Sequence, residues 1–431
     1  MWIGVDDTDS LEGGCTTYVA TEIISRFIEN GYDIIGFPRL VRLNPNIPWK
    51  TRGNGTICLR VGKGKGKRRK IGEIEGCDIF SFPSMKNEGS IDEIAYIVED
   101  VVSASRKEDA DSAFVISPKK LPYFIYRKAV KEVVEPKYIE NFLNKNGILY
   151  RYYRKGRGMV GASAAISWKP LDRTYELIAY GKERWMDKKS VIEMDKKCKS
   201  TFNNYDYRND YIALLPKANS PVFYGIRGDD FEELMKAREM LLKSEEERWI
   251  IFETNQGTDE HLQRKRIKNI KPYESVIVRG IVKRGARAIK GGHVIFSIYD
   301  GDEIECAAYE PTKEFREVAN QLRSGDEVVV YGGVRAEPFT INIEKMEIRK
   351  VVDVYEKVEN PICKKCGKHM KSMGKGKGYR CPVCGERAGE EEAKYRKVKR
   401  RIKPGFYEVP VMARRHLAKP LSRMGIKDAY S

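Results

Sequence analysis

At 431 residues and 49.5 kDa, the chain is too long for one ordinary core and calls for about three domains. With 41% hydrophobic and 10% aromatic residues it can fill several cores, which excludes global disorder; no stretch approaches the ~20 apolar residues of a membrane span. Its 80 basic and 62 acidic side chains leave +18, so a soluble, cytoplasmic protein with an acidic partner is expected.

The chain opens on an apolar strand, Trp2-Ile3-Gly4-Val5, that runs into Asp6, Asp7, Thr8, Asp9 and Ser10. Three carboxylates at the end of a buried strand need a neutralising partner. Magnesium, which takes carboxylate and phosphate oxygens, is the economical one. A helix-capping or turn cluster is the competing reading, since Asp, Ser and Thr cap helices well. Gly13-Gly14-Cys15-Thr16-Thr17 then opens a predicted helix over Tyr18–Asn30, whose N-terminus can hold an anion.

No G-x-x-x-x-G-K-[ST] motif occurs, so a conventional P-loop is excluded. A better phosphate cradle is Thr51-Arg52-Gly53-Asn54-Gly55-Thr56, where the glycines let backbone amides turn inward and Arg52 adds a fixed charge. A plain hairpin turn fits the same hexapeptide. Two polar runs follow predicted strands: Gly225-Ile226-Arg227-Gly228, and Thr254-Asn255-Gln256-Gly257-Thr258-Asp259-Glu260-His261. Open α/β sheets place ligands at such strand ends; an exposed loop is the alternative.

From Pro272 to Val352 the pattern changes to period two. Strands are predicted at Val276–Val282, His293–Tyr299, Ile304–Tyr309, Glu327–Val334 and Phe339–Ile348, with a helix at Lys313–Leu322. Five short strands with a helix between the third and fourth match an oligonucleotide-binding (OB) barrel. Gly280, Gly332 and Gly333 allow its bends. The basic loop Lys283–Lys290 is a stronger phosphate contact than Phe296, Tyr299 or Tyr309, since barrel aromatics are usually core.

Cys363-x-x-Cys366 and Cys381-x-x-Cys384, fourteen residues apart, place two thiolate pairs on glycine-flanked knuckles. That spacing predicts one structural Zn²⁺ with four cysteine ligands and no open position. Cys15, Cys58, Cys77, Cys198 and Cys306 lack such spacing and are read mostly as small buried groups. Charge follows the same division. Residues 363–431 hold 20 basic and 6 acidic side chains, +14 of the total, and two further basic runs lie at Arg60–Lys70 and Arg151–Arg157. Such runs suit a phosphate backbone bound through counterion release.

The motifs GVDDTDS-x-x-GGCTTY, RGNGT, GASAAI, TFNNYD, GIRG and TNQGTDEH, in that order ahead of a barrel and a zinc ribbon, resemble the archaeal tRNA-isoleucine 2-agmatinylcytidine synthetases (TiaS) across essentially the whole chain. The resemblance implies a multidomain α/β and α+β protein: a kinase-like domain and a ferredoxin-like domain, followed by an all-β OB-fold barrel and a zinc ribbon. The expected limits are 1–110 with 200–262, 111–199, 263–352 and 353–390. A basic tail, 391–431, is expected to order only on RNA.

It further implies an ATP-dependent ligase with the isoleucine tRNA of CAU anticodon and agmatine as substrates, and no membrane. On this view Asp6, Asp7 and Asp9 hold Mg²⁺. Thr16 is self-phosphorylated, with Thr17 the alternative, and Asn54, Arg227, Asn255 and Asp259 contact phosphate or substrate. The rival readings are a non-catalytic tRNA- or single-strand-binding protein and an RNA-modifying enzyme with another amine substrate. The buried aspartates argue against the first.

Overall fold

The computed structural model describes residues 1–10, 13–51, 53–216 and 220–430. Its largest element is a 13-stranded, mostly antiparallel sheet. The opening apolar run forms strand Trp2–Asp6, which lies antiparallel between Gly55–Lys65 and Ala113–Ser117. Leu149–Tyr152 adds outside Ala113–Ser117. Helix Thr16–Glu29 covers one face of this sheet, because Val19, Ala20, Ile23, Ile24 and Phe27 recur at helical spacing and are all buried. Helix Arg157–Ser167 covers the opposite face. It packs so closely that a Cβ on Gly4 would stand 2.1 Å from the carbonyl oxygen of Ala162. The small residues of the GASAAI run permit that approach.

Farther along the sheet, Thr174–Tyr180 lies between Val222–Gly228 and Arg248–Thr254, antiparallel to both. Helices Lys188–Lys197 and Phe231–Met240 pack together beside it, begun by the caps Asp187 and Asp230, whose carboxylates accept first-turn N–H groups. Arg248–Thr254 ties this part to the first, pairing with Arg69–Ile74 at one end and with Arg39–Arg42 at the other. The boundaries therefore differ from the expected ones. Residues 111–155 build onto the opening strand, and 200–262 belong with Thr174–Tyr180. Segments 1–110 and 200–262 thus lie in different halves of the large sheet, joined through Arg248–Thr254.

The five barrel strands close on themselves. Ser275–Ile289 pairs with His293–Tyr299, and that strand with Glu303–Ala308. Glu303–Ala308 runs parallel to Thr340–Lys350, which pairs with Glu327–Val334, and this returns to Ser275–Ile289. The helix, Glu314–Asn320, falls between the third and fourth strands as expected. Gly332 sits where the register shifts, and a Cβ there would meet the carbonyl oxygen of Asn342 at 2.1 Å. The run at Lys283–Lys290 is mainly strand rather than loop, and Lys283, Arg284 and Arg287 pair with Glu303 and Glu305. Phe296 is core, while Tyr299 is exposed.

Beyond the barrel, Tyr355–Glu359 pairs with Lys394–Lys397, bracketing the cysteine knuckles. The tail carries elements of its own. Gly405–Glu408 adds to barrel strand Thr340–Lys350, and residues after it run back to the first sheet. Ion pairs tie it to the barrel and to the first sheet's surroundings, among them Arg415–Glu344, Lys419–Asp172 and Arg423–Asp172. Net charge alone overlooked these specific acidic partners. Of the remaining cysteines, Cys58, Cys198 and Cys306 are buried, Cys15 is partly buried and Cys77 is exposed.

Candidate active site

A cavity of about 470 Å³ opens where the end of strand Trp2–Asp6, the loop around Gly53, helix Arg157–Ser167, the strands bearing Glu176 and Arg227, and the tail at residues 411–416 converge. A second cavity of about 320 Å³ adjoins it and shares Asp7, Asp9, Trp49, Lys50, Thr51 and Arg157. At the shared wall the Arg157 guanidinium lies 4.5 Å over the Trp49 ring.

Asp6, Asp7 and Asp9 all line the larger cavity. Asp7 sits in the left-handed region at φ 56°, and Ser112 Oγ donates to its carbonyl at 2.8 Å. Burial, followed by the charges of Asp9 and Asp111, pushes the Asp7 carboxyl up to about 6. Burial and then Asp7 push Asp6 well above the usual carboxylate range. Gly161 closes over Asp6, since a Cβ there would fall 1.8 Å from Oδ2.

Crowded, desolvated carboxylates of this kind are relieved by a cation. Among the described residues, the four cysteines are the one group of three or more possible ligands whose donor atoms all lie within 4.8 Å of one another. Asp6, Asp7 and Asp9 do not meet that spacing, so a magnesium ion here would draw on one or two of these carboxylates and complete its shell with water and substrate phosphate.

Asp111 was not anticipated. It accepts the backbone N–H groups of Lys155 and Gly156 at 2.8 Å and of Arg157 at 3.2 Å, pinning the start of helix Arg157–Ser167. Nothing in the local sequence separates it from an ordinary loop aspartate. Thr16 begins helix Thr16–Glu29, and Thr8 Oγ1 donates to its Oγ1 at 3.2 Å. Thr17 Oγ1 lies 3.0 Å from Cys15 Sγ. Both threonines line the cavity.

Arg52 lies outside the described residues. Gly53, Asn54 and Gly55 do border the cavity, and they also make room for Arg42. A Cβ on Gly53 or Gly55 would stand 2.8 or 2.6 Å from Arg42 Nη1. Asn54, at φ 47°, donates from Nδ2 to the Asn44 carbonyl at 2.8 Å. Arg227 lines the cavity, and its Nε donates to buried Glu176 at 2.9 Å.

The structure does not bring Asn255 or Asp259 to the cavity. The Asn255 amide clamps the Arg42 backbone, accepting its N–H at 2.7 Å and donating to its carbonyl at 2.8 Å. Asp259 faces the barrel and tail instead, accepting from Lys345 Nζ and from the Lys419 N–H. The TNQGTDEH run is thus a joint: Gly257 N–H donates to the His416 carbonyl at 2.7 Å and Asp259 N–H to that of Leu417 at 2.9 Å. That joint delivers His416 to the cavity wall, a residue with no distinguishing mark in the sequence. The positive field of Arg42, then burial, hold His416 well below its ordinary range and so neutral.

At the far end of the chain, the Sγ atoms of Cys363 and Cys384 lie 3.4 Å apart and those of Cys366 and Cys381 3.3 Å apart. Four thiolates gathered this tightly fit one tetrahedral zinc.

Three family models match: the TiaS TCKD domain over residues 2–155, the TiaS FLD domain over 156–261 and the TiaS C-terminal zinc ribbon domain over 360–402. The isoleucine-tRNA 2-agmatinylcytidine synthetase TiaS of Methanocaldococcus jannaschii is 42% identical, with 98% of each chain covered. That of Archaeoglobus fulgidus is 39% identical, with 100% of this chain and 99% of the relative covered. Among solved structures, a complex of TiaS with its isoleucine tRNA and ATP matches with TM-score 0.83 and 37% identity, covering 99% of this chain and 98% of that one. A complex of TiaS with the same tRNA, AMPCPP and agmatine matches with TM-score 0.81 and 35% identity over the same shares. The chain belongs to the TiaS family.

Proposed function

We propose that the chain joins agmatine to the wobble cytidine of the isoleucine tRNA with a CAU anticodon, using ATP, so that AUA is read. The observation carrying this reading is the gathering of Asp6, Asp7 and Asp9, from the end of the first strand, with Thr16, from the start of the first helix, around one cavity. It occurs in a chain aligned end to end with relatives of that name.

The C2 oxygen of cytosine is a poor leaving group. A phosphoryl group moved from ATP to that oxygen makes it a good one. The primary amine of agmatine then bonds to C2 and gives up a proton as the C2–O bond breaks and phosphate departs. Such chemistry asks for positioning and charge stabilisation rather than a protein nucleophile. Asp6, Asp7 and Asp9 would hold magnesium, which supplies neutralising charge to the transferring phosphoryl group. Thr16 is the self-phosphorylated residue in this reading, with Thr17 the alternative. Gly53, Asn54, Gly55, Arg42 and Arg227 supply donors toward phosphate or base oxygens.

We read the first part of the large sheet as the kinase-like domain, the part around Thr174–Tyr180 as the ferredoxin-like domain, and the closed barrel as an OB fold, all in a cytoplasmic enzyme. The wobble base must leave its stack to react. The barrel, the zinc-bearing ribbon and the basic surface grip the remaining RNA. Incubation with this tRNA, ATP, magnesium and agmatine, followed by mass spectrometry of the anticodon loop, tests the proposal. The wobble nucleotide should gain the mass of agmatine less one water, since the C2 oxygen leaves with the phosphate. RNA binding without ATP consumption would indicate a passive binder, and addition of a different amine would indicate a different substrate.

A further inference from the structure

His416 comes from the tail, yet it borders the cavity of the N-terminal aspartates. Its orientation is fixed by a relay. Glu176, a carboxylate that also pairs with Arg227, can only accept, so it takes the Nε2–H of Gln256. That leaves Gln256 Oε1 to face His416 Nδ1 at 2.8 Å. Because Oε1 only accepts, Nδ1 carries the proton. In a neutral ring the other nitrogen, Nε2, is then a lone-pair acceptor. Nε2 has no hydrogen-bond partner among the described residues. Gly53 keeps the space beside it open, for a Cβ there would stand 3.1 Å from Nε2.

The surroundings select what this acceptor meets. Arg42, Arg227 and Lys50 all act on His416 with positive charge. A cationic amine is disfavoured there, whereas a neutral base is not. Cytosine offers a donor at its 4-amino group next to acceptors at N3 and O2. A neutral acceptor flanked by arginines presents the complementary set, and uracil, with oxygen at C4, would point one lone pair at another.

Resting on the reading that the reacting base is cytidine, we propose that His416 is a specificity-determining residue whose Nε2 accepts a hydrogen bond from the 4-amino group of that base. The C-terminal segment thereby takes part in choosing the nucleotide as well as in holding the RNA.

The test compares two tRNAs, one with ordinary cytidine at the wobble position and one with the pyrimidin-2-one nucleoside, which has hydrogen in place of the 4-amino group. Wild-type enzyme should prefer cytidine, by kcat/KM, about 10- to 100-fold more than His416→Phe does. The analogue's intrinsic reactivity is common to both enzymes and cancels in that ratio. An unchanged preference in His416→Phe would overturn the proposal. If that variant does not fold, ¹⁵N NMR of histidine-labelled wild-type enzyme decides instead. The expected Nδ1–H tautomer should show an Nε2 signal that moves with the cytidine tRNA and not with the analogue; a protonated or unmoved Nε2 would overturn it. Failure to modify ordinary cytidine tRNA at all would instead sink the functional reading on which the proposal stands.

Discussion

Asp259 Oδ2 accepts from Lys345 Nζ at 2.6 Å, joining the loop after strand Arg248–Thr254 to a barrel lysine whose side chain is only 1% exposed. The other oxygen, Oδ1, takes the backbone N–H of Lys419 at 2.7 Å. One carboxylate thus fastens the first sheet, barrel and tail together. Breaking a buried pair from one side leaves the other charge stranded. Asp259→Asn is therefore expected to lower stability by about 3–5 kcal/mol, read as a drop in urea midpoint. The change should also loosen His416, so cytidine preference falls in whatever protein remains folded.

Gly161→Ala reverses a usual rule. Alanine in a helix interior normally adds about 0.5–1 kcal/mol over glycine. Here its Cβ would fall 1.8 Å from Asp6 Oδ2. The expected result is a loss of about 1–3 kcal/mol, with kcat down about 10-fold or more because a carboxylate is displaced. Thermal melts and steady-state kinetics check both.

Asp7→Asn removes one charge from the crowded cluster without changing its shape. ATP use is expected to fall about 100-fold or more, while tRNA affinity in a filter-binding assay stays at the wild-type level. Wild-type turnover would remove the case for magnesium at this cluster.

His416 also gives a pH dependence of known sign. Its protonation is disfavoured in the fold, first by Arg42 and then by burial. The unfolded chain, with an ordinary imidazole near 6.5, takes the proton more readily. The stability this group contributes is full above that value and lost as pH falls below it. Between about pH 7.5 and 5.5, Tm should fall more steeply in wild type than in His416→Phe.

Zinc removal separates grip from chemistry. Cys381→Ser, or chelation, should abolish the zinc content of the ribbon and weaken tRNA binding about 10-fold or more. The self-phosphorylation proposed at Thr16 or Thr17, followed by mass spectrometry, should persist, since the ribbon cysteines are remote in sequence and absent from the cavity lining.

Period and spacing made the barrel and the ribbon legible. Four of the five barrel strands recur within two residues of their expected limits, the first running seven residues further, to Ile289, and two C-x-x-C pairs admit little besides a metal site. The aspartate cluster was legible for a different reason, because acidic residues after an apolar strand are an energetic anomaly. Asp111 and His416 were not, because their meaning lies in partners far along the chain. Asp111 serves helix Arg157–Ser167, and His416 answers Gln256. Asn255 and Asp259 misled for the same reason: a polar run at a strand end looks alike whether it faces a ligand or another part of the protein.

The tail's return to the first sheet has a consequence for synthesis. The aspartates at 6, 7 and 9 emerge from the ribosome first, and His416 only after the barrel and ribbon have been made. A partial chain has the carboxylates but no complete cavity wall. The cavity wall is therefore complete only once the barrel and the ribbon have been made, and a chain cut short before residue 411 has the aspartates but not the full site.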